Sequence, residues 1–271
     1  MAEPEPTTAA ILVENLRVSY GTREILHGIS FEVRKGETLV ILGGSGSGKS
    51  TLLRTLIGLQ KPTSGEIHIN GIATSKLSER ELRAIRAKMG MSFQAGALFG
   101  SMTVGQNVAL PLQEHTKLEA STIEIMVRIK LSEVGLEKFE DFMPSELSGG
   151  MRKRAAVARA LAMDPEILFF DEPSAGLDPI VAAGLDQLIL NLKKAYSISM
   201  VVVTHELASA FLIADRMILV DRGNIIADGT PQELQSSTQP RVRQFLDRVP
   251  EADVGQETDE FEMLTGDRKK K

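Results

Sequence analysis

The sequence predicts an α/β protein, a parallel sheet with helices packed on its faces and a helical insert of roughly 70–90 residues within it. Three observations point there. Short apolar runs alternate with helical segments after residue 165, a glycine-rich loop joins an apolar strand to a helix at 43–50, and the stretch from 75 to 163 is helical in character.

The elements follow in order. Residues 11–20 and 29–34 alternate apolar and polar, and 38–42 is a short apolar run ending in glycines, so all three read as strands. A helix starts near Gly48 and stops at Gly58. Pro62, Ser64 and Gly65 then turn the chain into a strand at 66–70. Helical spacing marks 78–88, 119–134 and 149–163, the last closed by Pro165. Beyond it come a strand at 167–170, a helix at 179–195, a strand at 200–203, a helix at 206–214 and a strand at 217–220. Asp178 before Pro179 gives the second of these an N-cap and a first-turn proline. Residues 1–10 are expected to be flexible and 11–236 to form the main domain, with its helical part at about 95–163. The extension 237–271 is read as a short helix at about 240–248 and then a mobile tail.

Composition narrows the class. The chain has 271 residues, 42% apolar and 25% charged, which suits a folded globule with a real core. With no Cys, disulfide scaffolds, thiolate metal sites and cysteine nucleophiles are excluded. The net charge of −5 argues against nucleic acid as the main partner. It belongs to the ends, however: Glu3 and Glu5 at the start, and seven acidic against four basic side chains in 249–271. Residues 6–248 are neutral as a body. No apolar run reaches the roughly 18–20 residues of a membrane span, and the start carries no basic residue and resembles neither a signal nor a transit peptide. A soluble, cytosolic protein is expected, acting at a membrane only through a partner.

Gly43-Gly44-Ser45-Gly46-Ser47-Gly48-Lys49-Ser50, followed by Thr51, fits the G-x-x-x-x-G-K-[ST] pattern between strand and helix. Glycines let backbone N–H groups turn inward around phosphate oxygens, and the helix start adds partial positive charge. Lys49 is placed to bridge the β- and γ-phosphates of ATP and Ser50 to ligate Mg²⁺. Ile167-Leu168-Phe169-Phe170-Asp171-Glu172 is a buried strand that delivers Asp171 to the metal shell and Glu172 to the attacking water. Leu147-Ser148-Gly149-Gly150-Met151 opens a helix as a second anion cradle. One chain with one ATP does not need two cradles, so the second belongs to the nucleotide of another copy.

At this point the sequence resembles the ATP-binding-cassette (ABC) ATPases, whose signature is Leu-Ser-Gly-Gly-Gln. The resemblance covers roughly residues 11–236 and implies a P-loop NTPase fold of the ABC type: a mixed sheet core, an antiparallel β subdomain and a helical subdomain insert. It implies that Tyr20 stacks on adenine, that Gln94 senses Mg²⁺ and the attacking water while linking the helical insert to the core, and that Ser174-Ala175-Gly176-Leu177-Asp178 crosses a dimer interface. It further implies that His205 contacts the γ-phosphate and orients Glu172. His27, His68 and His115 have no such context.

Met151 stands where the family carries Gln. Together with Phe93-Gln94-Ala95-Gly96-Ala97-Leu98-Phe99 and the late Pro240-Arg241-Val242-Arg243-Gln244-Phe245-Leu246-Asp247, it makes the chain resemble the ATPase subunits of Mla/Mce-type phospholipid transporters. That resemblance implies a peripheral protein on the cytoplasmic face of the bacterial inner membrane. Its partners there are a second copy of itself, a separate permease, an Mce-domain protein, and a small STAS-domain protein that can bind the ATPase subunit. Two other readings stay open: the ATPase of a small-solute, amino-acid-like importer, and a soluble ABC ATPase with no permease.

Overall fold

The computed structural model describes residues 9–250, so expectations for 1–8 and 251–271 fall outside the described residues. The chain opens with β1 (Ala9–Tyr20) and β2 (Arg23–Arg34), then β3 (Thr38–Leu42) and α1 (Lys49–Leu56). β4 (Ser64–Ile69), β5 (Ile72–Ala73), α2 (Glu79–Arg86) and β6 (Met89–Ser92) lead to three helices: α3 (Val104–His115), α4 (Ala120–Glu133) and α5 (Gly149–Leu161). The remainder alternates: β7 (Ile167–Asp171), α6 (Pro179–Tyr196), β8 (Ser199–Val203), α7 (Leu207–Ile213), β9 (Arg216–Asp221), β10 (Asn224–Gly229), α8 (Pro231–Gln235) and α9 (Pro240–Leu246).

The strands form two sheets. One is antiparallel, in the order β2-β1-β4-β5; the other runs β10-β9-β3-β8-β7-β6, parallel throughout except for β10. This is the mixed core with an antiparallel subdomain that the family resemblance implied, with antiparallel β10 added to the parallel sheet expected from the residue pattern. Successive side chains of a strand point to opposite faces, and the central strands use both. Leu39, Ile41, Phe169, Val201 and Val203 face the antiparallel sheet and α1. Val40, Leu42, Leu168, Phe170, Met200 and Val202 face α3, α4, α5 and α6. The phosphate-loop helix and the Ser148 helix therefore pack on opposite faces of one sheet.

Two expectations need correction. The span 75–163 is not helical throughout, because β6 lies inside it at the sheet edge. Its sequence Met-Gly-Met-Ser has no β-branched residue, the usual sign of a strand, and pairing with β7 supplies what propensity lacks. Gly90 is needed there: a Cβ would stand 2.3 Å from the Ala160 carbonyl oxygen, so β6 could not approach α5 with any larger residue. The start also orders earlier than expected, since Ala9 and Ala10 belong to β1, where Ala10 is buried and its carbonyl accepts the Asn70 N–H at 2.9 Å.

Candidate functional site

Parallel strands end on one edge, and that is where the predicted residues meet. Ile41 of β3 and Asp171 of β7 both stand in register with Val203 of β8, and Phe170 with Ser92 of β6. The next residues along each strand are the phosphate loop, Glu172, Thr204–His205 and the Gln94 segment. Crevices at the carboxyl ends of such strands are where ligands bind in open α/β sheets.

The loop is shaped by close approach and by left-handed backbone. At Gly43 a Cβ would lie 2.3 Å from Val220 O and 2.6 Å from Ser47 Oγ. Gly46 and Gly48 have φ of 73° and 110°. Lys49 is buried, and its Nζ donates to Gly43 O at 2.7 Å and Gly44 O at 2.9 Å. An ammonium carries three donors, so one remains after the loop has oriented the chain. Burial pushes the Lys49 pKa down, while Glu172 and Asp171 pull it back up. Ser47 Oγ is buried with no partner, a hydroxyl free for a phosphate oxygen, and Ser50 is exposed at the helix start.

Asp171 ends β7, and burial, reinforced by neighbouring Glu172, raises its pKa, with Arg54, Lys153 and Lys49 opposing. Glu172 adopts φ 47°, a left-handed conformation that costs a non-glycine residue about 1 kcal/mol and that concentrates at functional sites. Its amide is held by Val203 O at 2.8 Å. Both carboxylate oxygens are engaged: Oε1 lies 2.8 Å from His205 Nδ1, and Oε2 accepts from Thr204 Oγ1 at 3.1 Å and His205 N at 3.3 Å. The His205 ring is about half exposed, with its other nitrogen 3.5 Å from Glu206.

The structure thus joins Lys49, Asp171, Glu172 and His205. Gln94 is exposed, and its segment is attached by its backbone: Lys153 Nζ donates to Gln94 O and to Glu172 O, and Arg159 to Gly96 O and Ala97 O. Tyr20 ends β1 in the other sheet, 45% exposed. Ser148 caps α5 through Met151 N at 3.3 Å, and Gly150 has no room for a Cβ, which would meet Val181 Cγ1 at 2.4 Å. Asp178 caps α6, accepting from Ile180 N and Val181 N at 3.1 Å. Among the described residues none of these last four positions hydrogen-bonds to the strand-end cluster. Sequence reasoning assigned no role to Thr204 or Lys153; only the position of Thr204 beside His205 could have suggested it.

A phosphate loop at the end of β3 and a clamped Glu beside a buried Asp at the end of β7, with β8 between them, define a nucleotide-binding P-loop ATPase. Residues 26–175 match the family described as ABC transporter, and the chain belongs to that family as an ABC-type ATPase. It is 44% identical over 249 residues, 91% of this chain and 93% of the relative, to the intermembrane phospholipid transport system ATP-binding protein MlaF of Escherichia coli K12. It is 42% identical over 260 residues to the probable ribonucleotide transport ATP-binding protein mkl of Mycobacterium leprae, covering 95% of this chain and 75% of that one. Among solved structures it resembles the dimeric ATP-binding cassette MJ0796 in a post-hydrolysis state with ADP and Pi, with 33% identity and a TM-score of 0.75 over 82% of this chain and 98% of that one.

Proposed function

We propose that the chain hydrolyses ATP as one half of a head-to-tail dimer and thereby drives phospholipid transport through a separate permease. The observation that carries the hydrolytic part is the clamp on Glu172, a carboxylate oriented at both oxygens one residue beyond Asp171. Glu172 takes a proton from a water whose oxygen attacks the γ-phosphorus; the bond to the β-phosphate oxygen breaks, releasing ADP and phosphate. The loop amides of 43–51 and Lys49 hold the phosphates, and His205 keeps Glu172 aimed and meets the γ-phosphate. Tyr20 stacks on the base. Ser148, Gly149 and Gly150 of the partner copy close over the nucleotide, with Asp178 at the same interface, which agrees with α5 lying on the sheet face opposite α1.

The residues fit a Mg²⁺ ion. Asp171 is an acid whose ionised form is penalised by burial and by Glu172, as expected of a ligand awaiting a cation. Among the described residues no three His, Cys, Asp or Glu side chains cluster as a metal cage, and Mg²⁺ is usually held by one or two carboxylates plus substrate phosphates. Asp171, Ser50 and Gln94 would hold it; when bound it neutralises charge on the β- and γ-oxygens.

Among the described residues no helix is long and apolar enough to cross a membrane; in this reading the permease is a separate chain. A groove of about 590 Å³ between α2, β6, α3 and α5 is lined by Phe93, Phe99, Pro111 and Arg159, directly beside the Gln94 segment. It receives a permease loop, with 95–163 as the arm that moves. The lipid substrate is supported by the likeness to MlaF over nearly all of both chains and by the 93–99 stretch. An Mce-domain protein and a STAS-domain protein complete the assembly on the cytoplasmic face of the inner membrane. Purification of the complex in detergent, with mass spectrometry of bound subunits and lipids, tests this: a permease carrying phospholipid is expected, and a nucleotide- or amino-acid-loaded binding protein overturns the lipid assignment.

A further inference from the structure

Lys153 sits one turn into α5, 8% exposed, on a helix face otherwise filled by Ala156, Val157 and Ala160. Burying an ammonium is costly unless it is compensated, and burial indeed depresses its pKa, with Asp171 and Glu172 opposing. Packing alone would be served better by an apolar residue. The Lys153 head group instead meets two backbone carbonyls from distant parts of the chain, Gln94 O and Glu172 O, the latter at 3.1 Å. Glu172 O also accepts the Ala175 N–H at 3.2 Å, so the left-handed turn at Glu172 is held by that bond, by Val203 and by Lys153.

We propose that Lys153 is a positioning residue that fastens the permease-facing Gln94 segment to the backbone of Glu172, so that displacement of one shifts the other. This rests on the roles of Glu172 and Gln94 given above. Lys153 spans both carbonyls only while the two loops keep their present separation. A shift of the Gln94 carbonyl by an ångström or two breaks one contact and leaves the buried ammonium seeking the other. The segment and the base then have two coupled arrangements rather than a continuum, the requirement for a ligand or partner to bias them.

The test uses the full chain assembled with its permease, measuring ATP turnover, KM for ATP and the ratio of turnover with and without the permease. Lys153→Met keeps length and removes every donor. It is expected to leave KM within about twofold, to lower kcat about tenfold, equal to about 1.4 kcal/mol, and to abolish permease stimulation. Lys153→Arg should restore most of kcat and the stimulation. If the Met variant does not fold, Lys153→Gln, which keeps donors but neither reach nor charge, takes its place with the same expectation. Wild-type kcat and stimulation in the Met or Gln variant overturn the proposal; so does a parallel loss of kcat and KM that Arg fails to rescue. Glu172→Gln run alongside separates the two readings. Its retention of turnover would sink the role of Glu172 itself, whereas a dead Gln variant beside an unaffected Lys153→Met sinks only the coupling.

Discussion

Replacing Glu172 by Gln tests the hydrolytic reading with little structural disturbance. Thr204 Oγ1 accepts the Glu206 N–H at 3.1 Å, so its own proton is free to point at Glu172 Oε2, and the His205 N–H points there too. Two donors converge on that position, which the amide oxygen must therefore occupy. The NH₂ then lies where Oε1 was, 2.8 Å from His205 Nδ1, which accepts it when the ring proton is on Nε2. The donors that meet Glu172 keep an acceptor and one of the two new amide N–H groups gains one, so the loss of stability should stay near 1 kcal/mol, an order-of-magnitude figure of about one hydrogen bond. What disappears is the acceptor for the proton of water. General-base catalysis contributes about 10²–10⁴-fold, about 2.7–5.5 kcal/mol on the barrier. Steady-state phosphate release at saturating MgATP should fall by that factor while nucleotide affinity is kept, and an ATP-bound dimer should accumulate in sedimentation. Turnover within tenfold of wild type, with folding intact, would refute the assignment.

Gly43→Ala places a Cβ 2.3 Å from Val220 O, backbone that cannot swing aside; ATP affinity by equilibrium titration should drop at least about tenfold, or 1.4 kcal/mol, and an unchanged affinity would discount the close approach as a constraint. Lys49→Ala removes the buried cation of the loop and should weaken both binding and turnover, and chelation of divalent ions should weaken ATP binding to wild type. Asp186 is buried, one oxygen receives Ser209 Oγ at 2.8 Å, the other has no partner, and burial raises its pKa above the ordinary 3.8. The folded state thus binds this proton more tightly than the unfolded state, so stability is lost as pH rises from that ordinary value through the raised one. Asp186→Asn should therefore stabilise the protein by about 1 kcal/mol at pH 7 and not below about pH 4; a gain equal at both pH values in thermal melts would contradict the assignment. Phe170→Ala, at a fully buried position, should cost about 3–5 kcal/mol by denaturant titration.

What was legible in the sequence follows from how local the signal is. The β3–loop–α1 unit was readable because its residues are contiguous, and β7 because four apolar residues end in two carboxylates. β6 was not, since a four-residue edge strand without β-branched residues owes its existence to β7 and to Gly90 meeting α5. α3 falls within the stretch read as helical, but its bounds are hard to place: Thr103 and Gln106 form a capping box, while Pro111 lies inside it and a proline argues against a helix interior. The grip on Glu172 comes from Thr204 and His205, and that of Lys153 from carbonyls far along the chain. Such pairings depend on strand order, and strand order cannot be read from spacing.

The chemistry of the cluster points to its ligand from two sides. Lys49 is a cation held in a buried place, and its ionised form is favoured by anything negative placed against the loop. Asp171 is an anion held in a buried place beside a second carboxylate, and its ionised form is favoured by a cation. A phosphate alone would relieve Lys49 but add negative charge near Asp171 and Glu172; a metal ion alone would relieve Asp171 but oppose Lys49, Lys153 and Arg54. A magnesium nucleotide brings both charges at once, with the phosphates toward the loop and the metal toward the strand end. On the proposed reading the site would favour the complex over either component, and loss of the γ-phosphate would weaken the side that faces Lys49. In the proposed dimer, that asymmetry would let hydrolysis, rather than mere exchange of ligand, favour release of the closed state.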